Sequence, residues 1–260
     1  MKMLLVASFL SAICFNTSAA DFSYGSFDAS VDGKSDAVII RGEIKKGDYE
    51  RLKSFIRPDP QRFLEKGIAL ASSGGDIMEA IRIGNLIRST YQLVFVNPAV
   101  GRCASACFLI YVAAVDRNAI VLSLGIHRPY FSSEEFSRLS LADAEKHQIR
   151  LIQKVRSYLE ENEVPSYLIE KMFSLSSDEI YWLNGQDLDR LGLRANWWDQ
   201  ILVNRCNLDK RLERGFLKGG NSPQFTVRAM QHLRDIGACG YRISITESEN
   251  NLAKLLRSAQ

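Results

Sequence analysis

Short apolar runs alternate with amphipathic stretches along the first half of the chain. The runs predict buried strands at 37–40, 67–71, 93–96 and 119–122. The stretches between them have apolar residues at helical spacing and predict helices at 48–56, 77–88 and 104–115. Strands that alternate with helices are typical of a parallel sheet built from βα units, so the pattern predicts an α/β fold.

The pattern changes in the second half, where charged amphipathic stretches dominate. Residues 133–161 predict one or two helices with an apolar face that could cover another subunit, and 165–173 predict a further helix. Ser222 and Pro223 have the N-cap and first-turn chemistry of a helix that we expect to end near 236, before a separate final helix. We therefore divide the chain into a leader at 1–20, an α/β domain at 21–205 and a helical C-terminal extension at 206–260.

The first twenty residues have the pattern of a secretory signal peptide. Lys2 precedes an apolar run over 3–15, and small residues follow it. Ser18 and Ala20 occupy the small positions that a signal peptidase prefers, so we expect cleavage before Asp21. The mature chain is then periplasmic or secreted. Past this segment no apolar run is long enough to cross a bilayer, so stable membrane insertion after cleavage is not expected.

The cysteines predict disulfides. Cleavage of the leader removes Cys14 and leaves an even number of cysteines, which in an oxidising compartment is typical of disulfide pairing. Three pairings are open, and we favour Cys103 with Cys107 and Cys206 with Cys239, because each pair is close in sequence or lies in the same region. A zinc site is the competing interpretation, but no second pair of ligands stands at a suitable spacing, so we expect no metal.

Composition and charge exclude two classes of protein. The chain is 46% hydrophobic and 24% charged, which supports a packed core rather than disorder. Its 33 basic residues stand against 30 acidic ones, for a net charge of +3. So small a surplus gives no electrostatic footprint for DNA or RNA, and a nucleic-acid partner is not expected.

Three features could carry chemistry. Gly74 and Gly75 follow a predicted strand and precede a helix, a position where backbone amides can approach a carbonyl oxygen. Ser105 lies among small residues at the start of an apolar helix, where its hydroxyl can be exposed. His127 ends a strand segment and is followed closely by Pro129, which would hold the imidazole in a fixed position to accept a proton.

Each feature also has a plain structural interpretation. A Gly-Gly pair before a helix is commonly only a turn, a serine among alanines is commonly tight packing, and a lone histidine is commonly a hydrogen-bonded structural residue. The order of all three on one α/β frame favours the chemical interpretation.

This order resembles the proteolytic subunit of Clp proteases and, more broadly, the Clp/crotonase superfamily, over about residues 36–200. The matching segments are Ser73-Gly74-Gly75-Asp76, the helix with Ala80, Ile83 and Ile87, Ala104-Ser105-Ala106, Arg117, and Ile126-His127-Arg128-Pro129. The exported Cys-x-Ser-x-Cys version is most similar to periplasmic Clp-like proteins of bacteria. The resemblance implies a βα superhelical spiral in which Ser105 is the nucleophile, His127 the general base, and the amides of Gly75 and Ala106 the oxyanion hole.

The resemblance also implies an acid that orients the histidine. In the family an aspartate precedes a short helix that ends in a Gly-Leu pair, and Gly192-Leu193 matches that pair. Asp178 lies near the matching distance upstream and is our choice, with Glu179 as the reserve. The structural alternative is that both are solvated acids at the start of a helix.

The departures from the family shape the expected function. The cysteines and the region beyond Cys206 have no counterpart in Clp subunits. An exported chain has no ATP supply, so we expect no ATPase partner. The sequence carries no metal, nucleotide or flavin signature, so we expect no cofactor. The substrate would be a peptide or an unfolded protein segment, and a homo-oligomer is compatible with the sequence. Two alternatives stay open: a non-catalytic scaffold of the same fold that binds envelope proteins, and a Ser-Lys hydrolase in which Lys146 or Lys154 reaches Ser105.

Overall fold

A computed structural model gives the architecture of the chain. The structure describes residues 19–28, 34–130, 140–176, 178–219 and 222–258. Most of the predicted leader, residues 1–18, therefore lies outside the described residues, as do 131–139 within the predicted amphipathic stretch.

The strands form two sheets. Their bounds are Asp21–Asp28 (β1), Lys34–Arg41 (β2), Gly67–Ala71 (β3), Leu93–Val96 (β4), Cys103–Ala104 (β5), Asp116–Ala119 (β6), Leu124–Ile126 (β7) and Tyr181–Trp182 (β8). The larger sheet has the order β1-β2-β3-β4-β6, with β1 antiparallel to β2 and the remaining neighbours parallel. The smaller sheet has the order β5-β7-β8, in which β5 and β7 are parallel and β8 is antiparallel.

Helices connect and cover these sheets. Their bounds are Asp48–Ile56 (α1), Pro60–Leu64 (α2), Ile77–Ser89 (α3), Ala106–Val112 (α4), Leu141–Glu161 (α5), Ser166–Ser174 (α6), Gly185–Leu191 (α7), Asn196–Cys206 (α8), Lys210–Leu217 (α9) and Pro223–Arg257 (α10). The predicted α/β class and the helical C-terminal extension are therefore confirmed. The apolar face of α3 packs against α4, whose residues are all buried, and this contact forms the centre of the main core.

Three predicted elements differ in the structure. Residues 119–122 are not a strand beyond Ala119, because Ile120, Val121 and Leu122 lie in an exposed turn and the polar segment before them forms β6. The helix predicted at 104–115 is shorter, because Ala104 still pairs in β5 with Gly125. The two C-terminal helices are one helix, α10, which begins at Pro223 with Ser222 as its N-cap.

Helix α10 returns to the α/β domain. Its Leu252 is buried in the main core. The Ser248 hydroxyl donates to the carbonyl of Thr90 at 2.8 Å, and the Asn251 amide donates to the carbonyl of Ser89 at 2.9 Å. Because both acceptors lie at the end of α3, the extension is fastened to the helix that begins at the candidate site.

Both favoured cysteine pairings are present. Cys103 and Cys107 are joined with their Cα atoms 5.4 Å apart, and Cys206 and Cys239 with theirs 5.8 Å apart. The first bridge is fully buried and encloses Ser105, while the second ties α8 to α10. Such bridges are typical of proteins that fold in an oxidising compartment. Among the described residues, no helix is long and apolar enough to cross a membrane.

The two bridges should differ in their effect on stability. Replacing both Cys206 and Cys239 by serine should lower the free energy of unfolding by about 4 kcal/mol, against about 2 kcal/mol for Cys103 and Cys107, because the longer loop constrains the unfolded chain more. Urea denaturation of the two double variants measures the difference. Thiol titration of the unfolded, non-reduced mature protein should find no free thiol, and two or more would contradict the pairing.

Candidate active site

The carboxyl ends of three strands meet at one place. The amide of Ala104 in β5 donates to the carbonyl of Ser72, which directly follows β3, at 3.0 Å. The amide of Ser105 donates to the carbonyl of Gly125 in β7 at 3.1 Å. Since β5 and β7 run parallel, the residues that follow them, Ser105 and His127, are delivered to the same edge.

Ser105 has a backbone conformation that few serines adopt. It stands at the N-cap of α4 with φ 58° and ψ −127°, and its side chain caps no helical amide. A serine at an N-cap ordinarily accepts a hydrogen bond from the first turn, so this hydroxyl is free of the structural role that the position usually gives it. Positive φ in a non-glycine residue costs about 1–3 kcal/mol and concentrates at functional sites. The buried Cys103–Cys107 bridge holds the turn on both sides.

The Gly74-Gly75 pair fits between this serine and the segment after β2. A Cβ on Gly74 would lie 2.5 Å from the Cβ and 2.9 Å from the Oγ of Ser105, so only glycine allows the contact. A Cβ on Gly75 would lie 2.0 Å from the carbonyl oxygen of Ile44. Ile44 holds the pair in place, since its amide donates to the Gly74 carbonyl at 2.7 Å and its carbonyl accepts from Asp76 at 2.7 Å.

Two backbone amides near Ser105 are available to a ligand. Within the described residues, no hydrogen bond uses the amide of Gly75 or that of Ala106. Gly75 has a positive φ of 131°, and Ala106 is the first residue of α4. Unpaired amides beside a serine hydroxyl are what an oxyanion hole requires.

His127 is half-buried and fixed by its own turn. Its Nδ1 lies 2.9 Å from the carbonyl oxygen of Arg128. When Nδ1 donates its proton there, the lone pair is left on Nε2, the tautomer that a general base needs. The side-chain amide of Gln148, on α5, donates to the carbonyl of Pro129 at 3.1 Å, and the Tyr130 ring lies 5.7 Å from the imidazole.

The register of β8 brings Asp178 to the site. Ile126 pairs with Tyr181 in the antiparallel β7–β8 ladder, so the residues before Tyr181 run past the end of β7 toward His127. Asp178 is exposed, and a hydrogen bond from the Ser176 side chain, with its own backbone amide, holds the pKa of this carboxyl below its ordinary value. Among the described residues, no hydrogen bond joins Asp178 to His127. The Arg128 carbonyl takes the place at Nδ1 that the predicted acid would occupy.

One cavity of about 510 Å³ joins these groups. It is lined by Glu43, Ser73, Gly74, Gly75, Asp76, Ile77, Met78, Ser105, His127, Pro129, Tyr130, Leu151, Asp178 and Ile180. The structure thus brings together the predicted nucleophile, base and acid, and Asp178 rather than Glu179 faces the space. Part of the remaining wall is apolar, formed by Ile77, Met78, Leu151 and Ile180, and this part can receive a side chain, while Glu43, Ser73 and Asp76 add polar groups.

Other residues singled out in the sequence lie elsewhere. Lys146 and Lys154 are exposed, and the residue of α5 that lines the cavity is Leu151. Arg117 is buried in a structural role, since it donates to the carbonyls of Val112 and Leu191. No sequence pattern predicts the role of Ile44, because its backbone rather than its side chain positions the glycines.

The solved structures described below resemble this chain only loosely, at TM-scores of 0.40 to 0.43. No protein-family model and no curated protein matches the chain. The chain is similar to ClpP1 from Listeria monocytogenes, at 19% identity and a TM-score of 0.41 over 60% of this chain and 86% of that one. A mutant of the same ClpP1 has 21% identity and a TM-score of 0.43 over the same shares. A mutant of the 1510-N membrane-bound stomatin-specific protease has 16% identity and a TM-score of 0.40, over 65% of this chain and 83% of that one. At these TM-scores the likeness adds nothing to the site's own geometry.

The contact of Gly75 with Ile44 can be tested by substitution. Gly75→Ala should destabilise the fold by more than Gly47→Ala, because both positions have positive φ but only the first new Cβ meets backbone. The φ penalty alone is about 1–2 kcal/mol. Urea denaturation compares the two variants, and equal losses would show that Ile44 does not press on Gly75.

Proposed function

We propose that the chain is an exported serine hydrolase, and in particular a peptidase that cleaves peptides or unfolded protein segments. The observation that carries the proposal is the Ser105 hydroxyl, which caps no helix and lines one cavity with His127, Asp178 and Gly75. A serine held at positive φ for packing alone would gain nothing from this conformation.

The residues have distinct roles in the proposed reaction. The Oγ of Ser105 attacks the carbonyl carbon of the substrate while Nε2 of His127 takes the hydroxyl proton. The amides of Gly75 and Ala106 donate to the oxyanion that forms. His127 then returns the proton to the leaving amine, and water releases the acyl group from Ser105 by the same steps. The apolar cavity wall around Met78 and Ile180 receives a substrate side chain.

The Nδ1–Arg128 contact changes the role of the acid. Asp178 is exposed and ionised, so it supports the positive charge on His127 through solvent rather than orienting the ring directly. The carbonyl of Arg128 does the orienting. Loss of Asp178 should therefore cost less than loss of a directly bonded acid.

The proposed compartment is the periplasm or the extracellular space. The two disulfides support it, together with the signal-like leader at 1–20. An ATP-driven unfoldase is then no partner, and the substrate must arrive already extended. Assembly as a homo-oligomer is part of the proposal.

The scaffold alternative has one observation in its favour, the exposed Asp178 that no hydrogen bond links to His127. The Ser-Lys alternative has less support, because Lys146 and Lys154 are exposed away from the cavity lining. Activity that survives in His127→Ala but disappears on replacing either lysine would favour it.

The nucleophile can be tested by covalent labelling. Ser105→Ala should remove labelling by a serine-directed phosphonate while changing the free energy of unfolding by less than about 1 kcal/mol, since only a cavity-facing hydroxyl is lost. Ser73→Ala, on the same cavity, is the matched control and should keep its label. Equal labelling of Ser105→Ala and the native protein would reject Ser105, and a failure of every form to label would favour the scaffold.

The base and the acid should differ in importance. His127→Ala should abolish hydrolysis of a small ester, whereas Asp178→Asn should slow it by no more than about fivefold, because a solvent-exposed carboxylate contributes little through solvent. Glu179→Gln is the control and should leave the rate unchanged. Steady-state kinetics would contradict the assignment if Glu179→Gln proved the more damaging variant.

A further inference from the structure

The residue that we expected to end the leader is buried. Ala20 is fully inaccessible and belongs to the main core. Its backbone nitrogen lies 3.1 Å from Oδ2 of Asp48, whose side chain is 1% exposed. The same carboxylate accepts from the amide of Lys45 at 2.7 Å and from Arg51 at 2.6 Å.

Cleavage before Asp21 would discard this contact. It would remove a core methyl group and deprive a buried carboxylate of one donor. Cleavage one residue earlier uses Thr17 and Ala19 as the small residues and makes Ala20 the first residue. The backbone bridge between Ala19 and Glu43 is then lost, but Ala20 keeps its buried position.

We propose that Asp48 is a binding site for the chain's own processed N-terminus, the α-ammonium of Ala20. A signal peptidase hydrolyses the Ala19–Ala20 bond with water, leaving a carboxyl group on Ala19 and an amine on Ala20. The amine takes up a proton. The hydrogen bond from a neutral amide to the Asp48 carboxylate is thereby replaced by an ion pair in which both donor and acceptor are charged.

The site is connected to the catalytic glycines through backbone. Lys45, whose amide binds Asp48, directly follows Ile44, whose amide and carbonyl hold Gly74 and Asp76. In addition, the amide of Tyr49, next to Asp48, donates at 2.8 Å to Glu79 in the first turn of α3. Cleavage of the Ala19–Ala20 bond therefore stabilises the segment of Ile44 and Lys45, which positions Gly74 and Gly75. This coupling rests on the proposed function, whereas the docking of Ala20 does not.

The first test is the N-terminal residue of the exported protein. Intact-mass measurement and N-terminal sequencing of material purified from an exporting host should give Ala20. A chain that starts at Asp21 or Ala19 would overturn the proposal.

The second test is a thermodynamic cycle between the N-terminus and Asp48. Two forms are compared: the mature chain that starts at Ala20, and a chain in which extra residues precede Ala20, so that its nitrogen stays a neutral amide. Asp48→Asn should lower Tm in both, because Arg51 loses its partner in each, but by roughly 5 °C more in the mature form, because only there is the α-ammonium also left unpaired. Glu50→Gln, at an exposed acid on the same helix that pairs with the buried Lys53, should lower Tm equally in both forms. An equal effect of Asp48→Asn in the two forms would reject the site.

A third measurement separates this proposal from the proposed function. The phosphonate should label the mature form about tenfold faster than the extended form, since a loosened Gly75 amide should cost less than the roughly 10²–10³-fold lost when an oxyanion-hole donor is removed altogether. Equal labelling rates together with the expected Tm cycle would reject the coupling but not the docking. If neither form labels, the hydrolase assignment fails, and the N-terminal sequence and the Tm cycle still decide whether Ala20 binds Asp48.

Discussion

The hydrogen bond from the amide of Ala104 to the carbonyl of Ser72 joins the two sheets at the point where the candidate chemistry lies. It sets the end of β3 beside the end of β5, so that Gly74 touches Ser105 at a distance that only glycine permits. The pairing of β5 with β7 then adds His127, and the antiparallel β8 adds Asp178. The bond therefore brings the glycines that follow β3, in the larger sheet, beside the serine that follows β5, in the smaller sheet.

Two contacts hold the backbone of Ser105 in its strained conformation. Its positive φ costs stability, and the buried Cys103–Cys107 bridge and the hydrogen bond to Gly125 hold the turn in that conformation. On the opposite side, Ile44 holds Gly74 and Asp76 from the segment that follows β2. The hydroxyl and the amides of Gly75 and Ala106 are therefore positioned by backbone and disulfide contacts.

The sequence predicts a strand best where burial of apolar side chains is enough to select it. Strands β3 and β4 are buried apolar runs, and their bounds are as predicted, because burial alone selects them. The predicted strand at 119–122 is wrong, because the apolar residues after Ala119 are exposed. Strand β6 lies just before them, and its polar residues form a strand because they pair with β4 and bury Arg117. The sequence pattern predicts Ser105 at the start of a helix and His127 at the end of a strand, but it does not predict strand β5 directly before Ser105. The place of Asp178 depends on the register of a two-residue strand. The burial of Ala20 depends on Asp48, a contact that local pattern does not encode.

A crystal structure of the phosphonate-treated mature protein would test most directly whether Ser105 is a nucleophile beside an oxyanion hole. We expect phosphorus bonded to Oγ of Ser105. A phosphoryl oxygen should lie within hydrogen-bond distance of the amides of Gly75 and Ala106, and Nε2 of His127 should face the adduct. An unmodified Ser105, or a phosphoryl oxygen that turns away from both amides, would contradict it.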